Sequence, residues 1–154
     1  MENNVHENLI KVFGLKTFNT ISNIENRIRI NLATNCSDKD RLDIAFNEVS
    51  NILKSIFNKK EIIVRLCFWN KKEELKDLKS SLIQRIESED NIVLVLKYNS
   101  LNDDLLNIIK MHLNFELGLS PSINIGCFLF NFEIPILLNI YDDRGLDIIP
   151  FCKE

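Results

Sequence analysis

Three aspartates and an arginine crowd around one glycine in Tyr141-Asp142-Asp143-Arg144-Gly145-Leu146-Asp147, inside an otherwise apolar C-terminal run. Clustered carboxylates of this kind can ligate a metal or serve as general acid and base, and Arg144 could clamp an anion. That chemistry needs further groups, and the candidates are Glu116 in NFELG and Glu133 in NFEIP. Neither stands at a recognised catalytic spacing, and no lysine follows either one closely, as a metal-dependent nuclease strand would require. An enzyme on this motif therefore requires Asp142, Asp143 and Glu116 to converge in a cleft. The other reading is a turn between the strands ILLNIY and LDIIPF, with Gly145 as a left-handed residue ending a type I turn in a bulge. There Asp142 or Asp143 bonds the turn amides, and Gly145→Ala costs about 1 kcal/mol or more.

Other reactive residue types are sparse. His6 and His112 are the only histidines, and His112, at the end of a helix or the start of a strand, is expected on the surface or as a cap. No serine lies in a GxSxG elbow, and the four glycines form no GxGxxG or GxxxxGK loop, which excludes nucleotide binding by those routes. Cys36, Cys67, Cys127 and Cys152 are far apart, with no CxxC pair and no neighbouring histidine. No zinc set follows from them, and Cys67 and Cys127, inside apolar runs, read as reduced core residues. No metal and no cofactor are expected.

Recognition has its own candidates. Trp69, just past a strand in CFWNKK, either anchors an interface or closes the rim of the core. The acidic residues Glu73 and Glu74, the run holding Glu87, Glu89 and Asp90, and the pair Asp103 and Asp104 would attract a basic partner if they shared a face. Taken singly, each is a solvated helix end.

The elements that must position these residues follow from periodicity. Val5 to Lys16 reads as a short helix, and RIRINL from Arg27 alternates as a half-buried strand. Ser37, with Asp40 three residues on, offers an N-cap to a helix carrying Leu42, Ala45, Phe46, Val49, Ile52, Leu53 and Ile56. EIIVRLCFW reads as a central strand, and KKEELKDLKSSLIQRI as a surface helix with Leu75, Leu78, Leu82 and Ile86 on one stripe. NIVLVLKY is another buried strand, and Ser100 with Asp103 caps a short helix bearing Leu105, Ile108 and Ile109. HLNFELG alternates as a strand, and GCFLFNFE, IPILLNIY and LDIIPF complete a C-terminal meander. This order predicts one α+β domain over residues 1–154, with helices on one face of a mixed or mainly antiparallel sheet.

Bulk properties narrow the partners. At 154 residues one core buries roughly 70% of the unfolded chain's surface. A formal net charge of −3 with scattered lysines offers no basic stripe for phosphates, so nucleic acid is not an expected direct partner. The N-terminus lacks the basic start and apolar centre of a signal peptide, and no apolar run approaches the roughly 20 residues that span a bilayer. A cytoplasmic protein is expected.

The string from Tyr141 to Asp147, entered from an apolar strand, resembles the closing motif of a family of uncharacterised bacterial proteins in which Tyr-Asp-Asp-Arg-Gly is followed by an apolar residue and Asp. NRIRINLA, RLDIAFNEVSNILKSIF and EIIVRLCFW resemble that family's upstream order. The family's N-terminal Phe-Glu-Leu-Gly string has its counterpart here only at Phe115–Gly118. Small acidic α+β proteins of this kind look like immunity proteins of bacterial toxin systems, including contact-dependent growth inhibition. The resemblance implies a non-catalytic protein that binds a cognate toxin domain, such as a basic nuclease; the alternative is an acid-residue enzyme or regulatory module using the Asp-Asp-Arg-Gly region.

Overall fold

The computed structural model describes residues 4–12, 27–78 and 80–150. Phe13 to Lys16 of the first expected helix, and Cys152, lie outside these. Among the described residues, three α-helices, α1 (Val5–Val12), α2 (Arg41–Phe57) and α3 (Asp103–Leu117), accompany seven strands. The strands are β1 (Ile28–Asn31), β2 (Ile62–Phe68), β3 (Leu82–Glu87), β4 (Ile92–Tyr98), β5 (Ile125–Asn131), β6 (Ile134–Asp142) and β7 (Gly145–Pro150). They form one open sheet in the order β1-β7-β6-β5-β2-β4-β3, with every neighbouring pair antiparallel. The expected α+β class and C-terminal strand series are both present.

Period-2 alternation sends the strands' side chains to two cores. On the first face, Ala45, Val49, Leu53 and Phe57 of α2 recur every fourth residue, and with Leu105, Ile109 and Leu113 of α3 they cover Val64, Leu66, Leu94, Leu96, Leu129 and Leu138. The second face carries Ile63, Val95, Phe130, Leu137 and Ile149, against which Val5 and Ile10 of α1 pack. The first helix thus adds a cover on the side away from α2 and α3. Gln84 Nε2 donates to Asn4 Oδ1 at 2.7 Å, and His6 N donates to Gln84 Oε1 at 3.2 Å, pinning the start of α1 to β3.

Two elements differ from their expected form. The helix expected over residues 71–86 is a short 3-10 turn, Lys71–Glu73, a loop, and strand β3. The spacing of Leu75, Leu78 and Leu82 imitates a helical stripe, yet a bulge between Leu82 and Gln84 lets Leu82 join the first core and Ile86 the second. The strand expected at HLNFELG is the continuation of α3, which buries His112, Leu113 and Asn114 and ends on Gly118 at φ 67°. Both helix starts also move. Asp40 precedes α2 and makes no side-chain cap bond, and the Ser37 hydroxyl donates to its carboxylate at 3.0 Å instead. Asn102, rather than Ser100, caps α3, with Oδ1 accepting from Leu105 N at 3.0 Å.

Candidate functional site

A single transverse row crosses the second face on all seven strands: Gln84, Val95, Arg65, Phe128, Asn139, Asp147 and Arg29 are successive register partners. The next row is apolar, with Ile63, Phe130, Leu137 and Ile149 in register. On β2, β5, β6 and β7 the polar side chains of these two rows therefore fall on one line, while on β4 Lys97 extends the second row from Ile63. Arg65, 8% exposed, donates from Nε to His6 Nδ1 at 3.4 Å and lies 6.0 Å from the Phe128 ring centroid. Burial draws its guanidinium down to about 10. The same burial, with Arg65 beside it, lowers His6 to about 4.

The Asp-Asp-Arg-Gly segment is the two-residue connection, Asp143 and Arg144, between β6 and β7. Its bulge lies on β6, between Ile140 and Asp142, and Gly145 is outside the left-handed region, where Gly118 is the only described glycine. The expected left-handed Gly145 is thus corrected, and the turn is closed by an aspartate side chain. Asp142 Oδ1 accepts from Arg144 N at 2.7 Å, and its Oδ2 accepts from Arg144 Nη2 at 2.8 Å and Nε at 3.2 Å. This closes the turn through a side chain. Asp143 pairs with Arg41 at 3.5 Å, tying the turn to the start of α2. Asp147, 2% exposed, takes Arg29 in a two-pronged bond at 2.7 and 2.8 Å, with Arg27 at 3.7 Å. Each partner arginine that shifts, Arg29 and Arg144, is raised chiefly by its hydrogen bonds to the carboxylate.

Behind the turn lies a cleft of about 480 Å³, lined by residues that include Arg27, Arg65, Trp69, Glu116, Gly126, Asn139, Tyr141, Asp142, Arg144 and Asp147. The side chains of Trp69 and Tyr141 stand at it 52% and 53% exposed. The Trp69 ring lies beside Gly126, where an added Cβ would sit 3.5 Å from Trp69 Cζ2. Arg29 stacks 4.9 Å from the Tyr141 ring centroid.

The candidate acids distribute unevenly. Glu116 and Asp142 line the cleft, whereas Asp143 and Glu116 line a neighbouring hollow with Arg41. Glu133 lies beyond the far end of the nine-residue β6, roughly 25 Å or more away, beside Lys60. Glu74 and Glu87 share Arg85, at 2.7 and 3.0 Å, with Lys76 and Lys71 completing a network on the β3 edge. Its hydrogen bonds to Arg85, then Lys76, hold Glu74 at about 2. Glu73 Oε2 accepts from Asn124 N at 3.4 Å. Glu89 and Asp90 are exposed in the turn before β4, next to Asn91 of the cleft. Asp103 and Asp104, at the N-terminus of α3, follow the opposite end of β4. The acidic residues do not share one face.

His112 is corrected from a surface or capping residue to a buried one: its Nε2 meets Ile140 O at 2.7 Å, fastening α3 to β6 beside the bulge, and burial lowers its pKa. Cys67 and Cys127 are buried free thiols, and burial pushes Cys127 up to about 12. Among the described residues, no group of three or more histidine, cysteine or acidic side chains is placed to hold a metal ion.

The sequence reading overlooked Arg65, Gly126 and Asn139. Their signal was present: a lone charge in the apolar EIIVRLCFW, and an asparagine at the same alternation as Leu137 and Tyr141. No curated protein and no solved structure matches the chain. A family model does match, over residues 5–154, and the chain belongs to that family, described as Domain of unknown function (DUF3885).

Proposed function

We propose that the chain is a non-catalytic immunity protein that captures and neutralises a toxin domain, of the contact-dependent growth inhibition type, at the sheet end that carries the cleft. The observation that carries this reading is the pair of half-exposed aromatic rings, Trp69 and Tyr141, standing at the same cleft. Exposed tryptophan and tyrosine around a concave site are the residue types on which interface energy concentrates. The exposed Glu89 and Asp90 beside them suit a basic nuclease as the toxin. The engagement of Asp142, Asp143 and Asp147 with arginines supports a structural role for the motif's carboxylates. Neutralisation of a delivered toxin would take place in the cytoplasm, and among the described residues no helix is long and apolar enough to cross a membrane.

The test is co-expression with the toxin domain encoded beside the gene, scored by host survival and co-purification. Rescue with a stoichiometric complex that Trp69→Ala and Tyr141→Ala weaken is the expected result. Neither rescue nor complex would overturn the reading and turn attention to Asp142, Asp143 and Glu116 as an enzyme's acids.

A further inference from the structure

We propose that the cleft is a binding site for a neutral, planar heterocycle of the nucleobase class, stacked on Trp69 and read along one edge by the Asn139 carboxamide. The cleft's volume, about 480 Å³, falls within the range of small-molecule sites. Gly126 shapes it. An added Cβ there would lie 3.5 Å from both Trp69 Cζ2 and Cys67 Cβ, an ordinary contact, so the glycine leaves beside the indole a space that a larger side chain would fill. An exposed indole at an open slot is a stacking platform for any flat ring.

Charge selects against ionic ligands. The lining holds Arg27, Arg65 and Arg144 against Glu116, Asp142 and Asp147, an even balance. Arg144 is clamped on Asp142, and Arg27 shares Asp147 with Arg29. A free anion or cation meeting these four groups would have to compete with their pairs, whereas a neutral ring leaves them whole.

The floor then supplies direction. Asn139 is half-buried within the transverse row, between Phe128 and Asp147, and its side chain makes no hydrogen bond to any described residue. A carboxamide presents a donor and an acceptor in one plane, the complement of a purine edge that carries the same pair. Asn139 faces Phe128, two residues along β5 from Gly126. That puts it about 7 Å along the strands and about 5 Å across from the slot, the span of a fused ring pair.

Binding of such a ring needs no protein partner and can be read on the isolated chain. Trp69 is the single tryptophan, so selective indole excitation reads this cleft alone. Adenosine, guanosine, cytidine and uridine would each be titrated against Trp69 fluorescence and by calorimetry. Saturable binding of a purine nucleoside is expected, weakened about tenfold by Asn139→Ala, as loss of a hydrogen-bonded edge implies, and abolished by Gly126→Val, which fills the slot. Circular dichroism establishes that these variants fold, and Trp69→Leu, read by calorimetry, substitutes for either that does not. No saturable binding of any of the four nucleosides, or binding that the variants leave unchanged, would overturn the proposal.

Discussion

Asp147 shows how one side chain can be a structural rivet while looking like a catalyst. It is 2% exposed, and its arginine partners reach solvent, so the two ends of the bond are not equivalent. Removing Arg29 leaves a buried carboxylate with only the longer 3.7 Å pairing to Arg27; removing the carboxylate leaves cations that water can reach. Arg29→Met is therefore expected to destabilise the fold by about 2 kcal/mol, with Asp147→Asn costing only about 1 kcal/mol. Urea denaturation of the two variants gives the order, and the reverse order would refute this account of the bond. Gly145 makes the complementary point. An alanine Cβ there would lie 3.6 Å from Arg29 Cδ, an ordinary contact, and its backbone is not left-handed. Gly145→Ala should change stability by no more than about 0.5 kcal/mol, whereas Gly118→Ala, at φ 67°, should cost about 1 kcal/mol. Equal melting shifts for the two glycines would contradict this assignment. The sequence showed that carboxylates cluster here, but not that each has an arginine, because Arg29 and Arg41 are more than a hundred residues away along the chain from Asp147 and Asp143.

At the scale of elements, long and unambiguous patterns were legible and short ones were not. The periodic face of α2 and the apolar runs of β2, β4 and β5 appear where the spacing puts them. Leu75 to Ile86 deceived because leucines three and four apart suit a helix, while the open edge of β4 rewarded residues 82–87 for pairing as a strand. His112 to Gly118 deceived in the opposite sense: too few residues alternate to distinguish a strand from the last turns of a helix. Helix α1 gives the clearest conditional element. Its His6 is held by burial and Arg65 at about 4, below the 6.5 of a free histidine. Across that interval the detached helix binds more protons than the docked one, so docking is fully supported above about 6.5 and loses support as pH falls towards about 4. Hydrogen exchange of the α1 amides should accelerate over this window relative to those of β2. His6→Leu should flatten the dependence, and a variant with the unaltered pH profile would exclude His6 as its source.

Over the whole molecule, the sheet separates two kinds of surface. The turn holding Glu89 and Asp90 lies at the end with Trp69 and Tyr141, while Asp103 and Asp104 lie beyond the other end of β4, about 20 Å away. If a basic toxin docks at the cleft end, these groups should act on different steps of binding. Glu89→Lys with Asp90→Lys removes the attracting charge and should slow association, most strongly at low salt. Trp69→Ala removes a contact made only in the complex and should speed dissociation by about tenfold or more, with little effect on association. Asp103→Asn with Asp104→Asn should leave both rates unchanged, although loss of two charges from the first turn of α3 should lower stability by about 1 kcal/mol. Surface kinetics at two salt concentrations, paired with melting curves, separate these effects. A slower association in the Asp103 and Asp104 variant, with Trp69→Ala inert, would move the docking surface to the other end of the sheet.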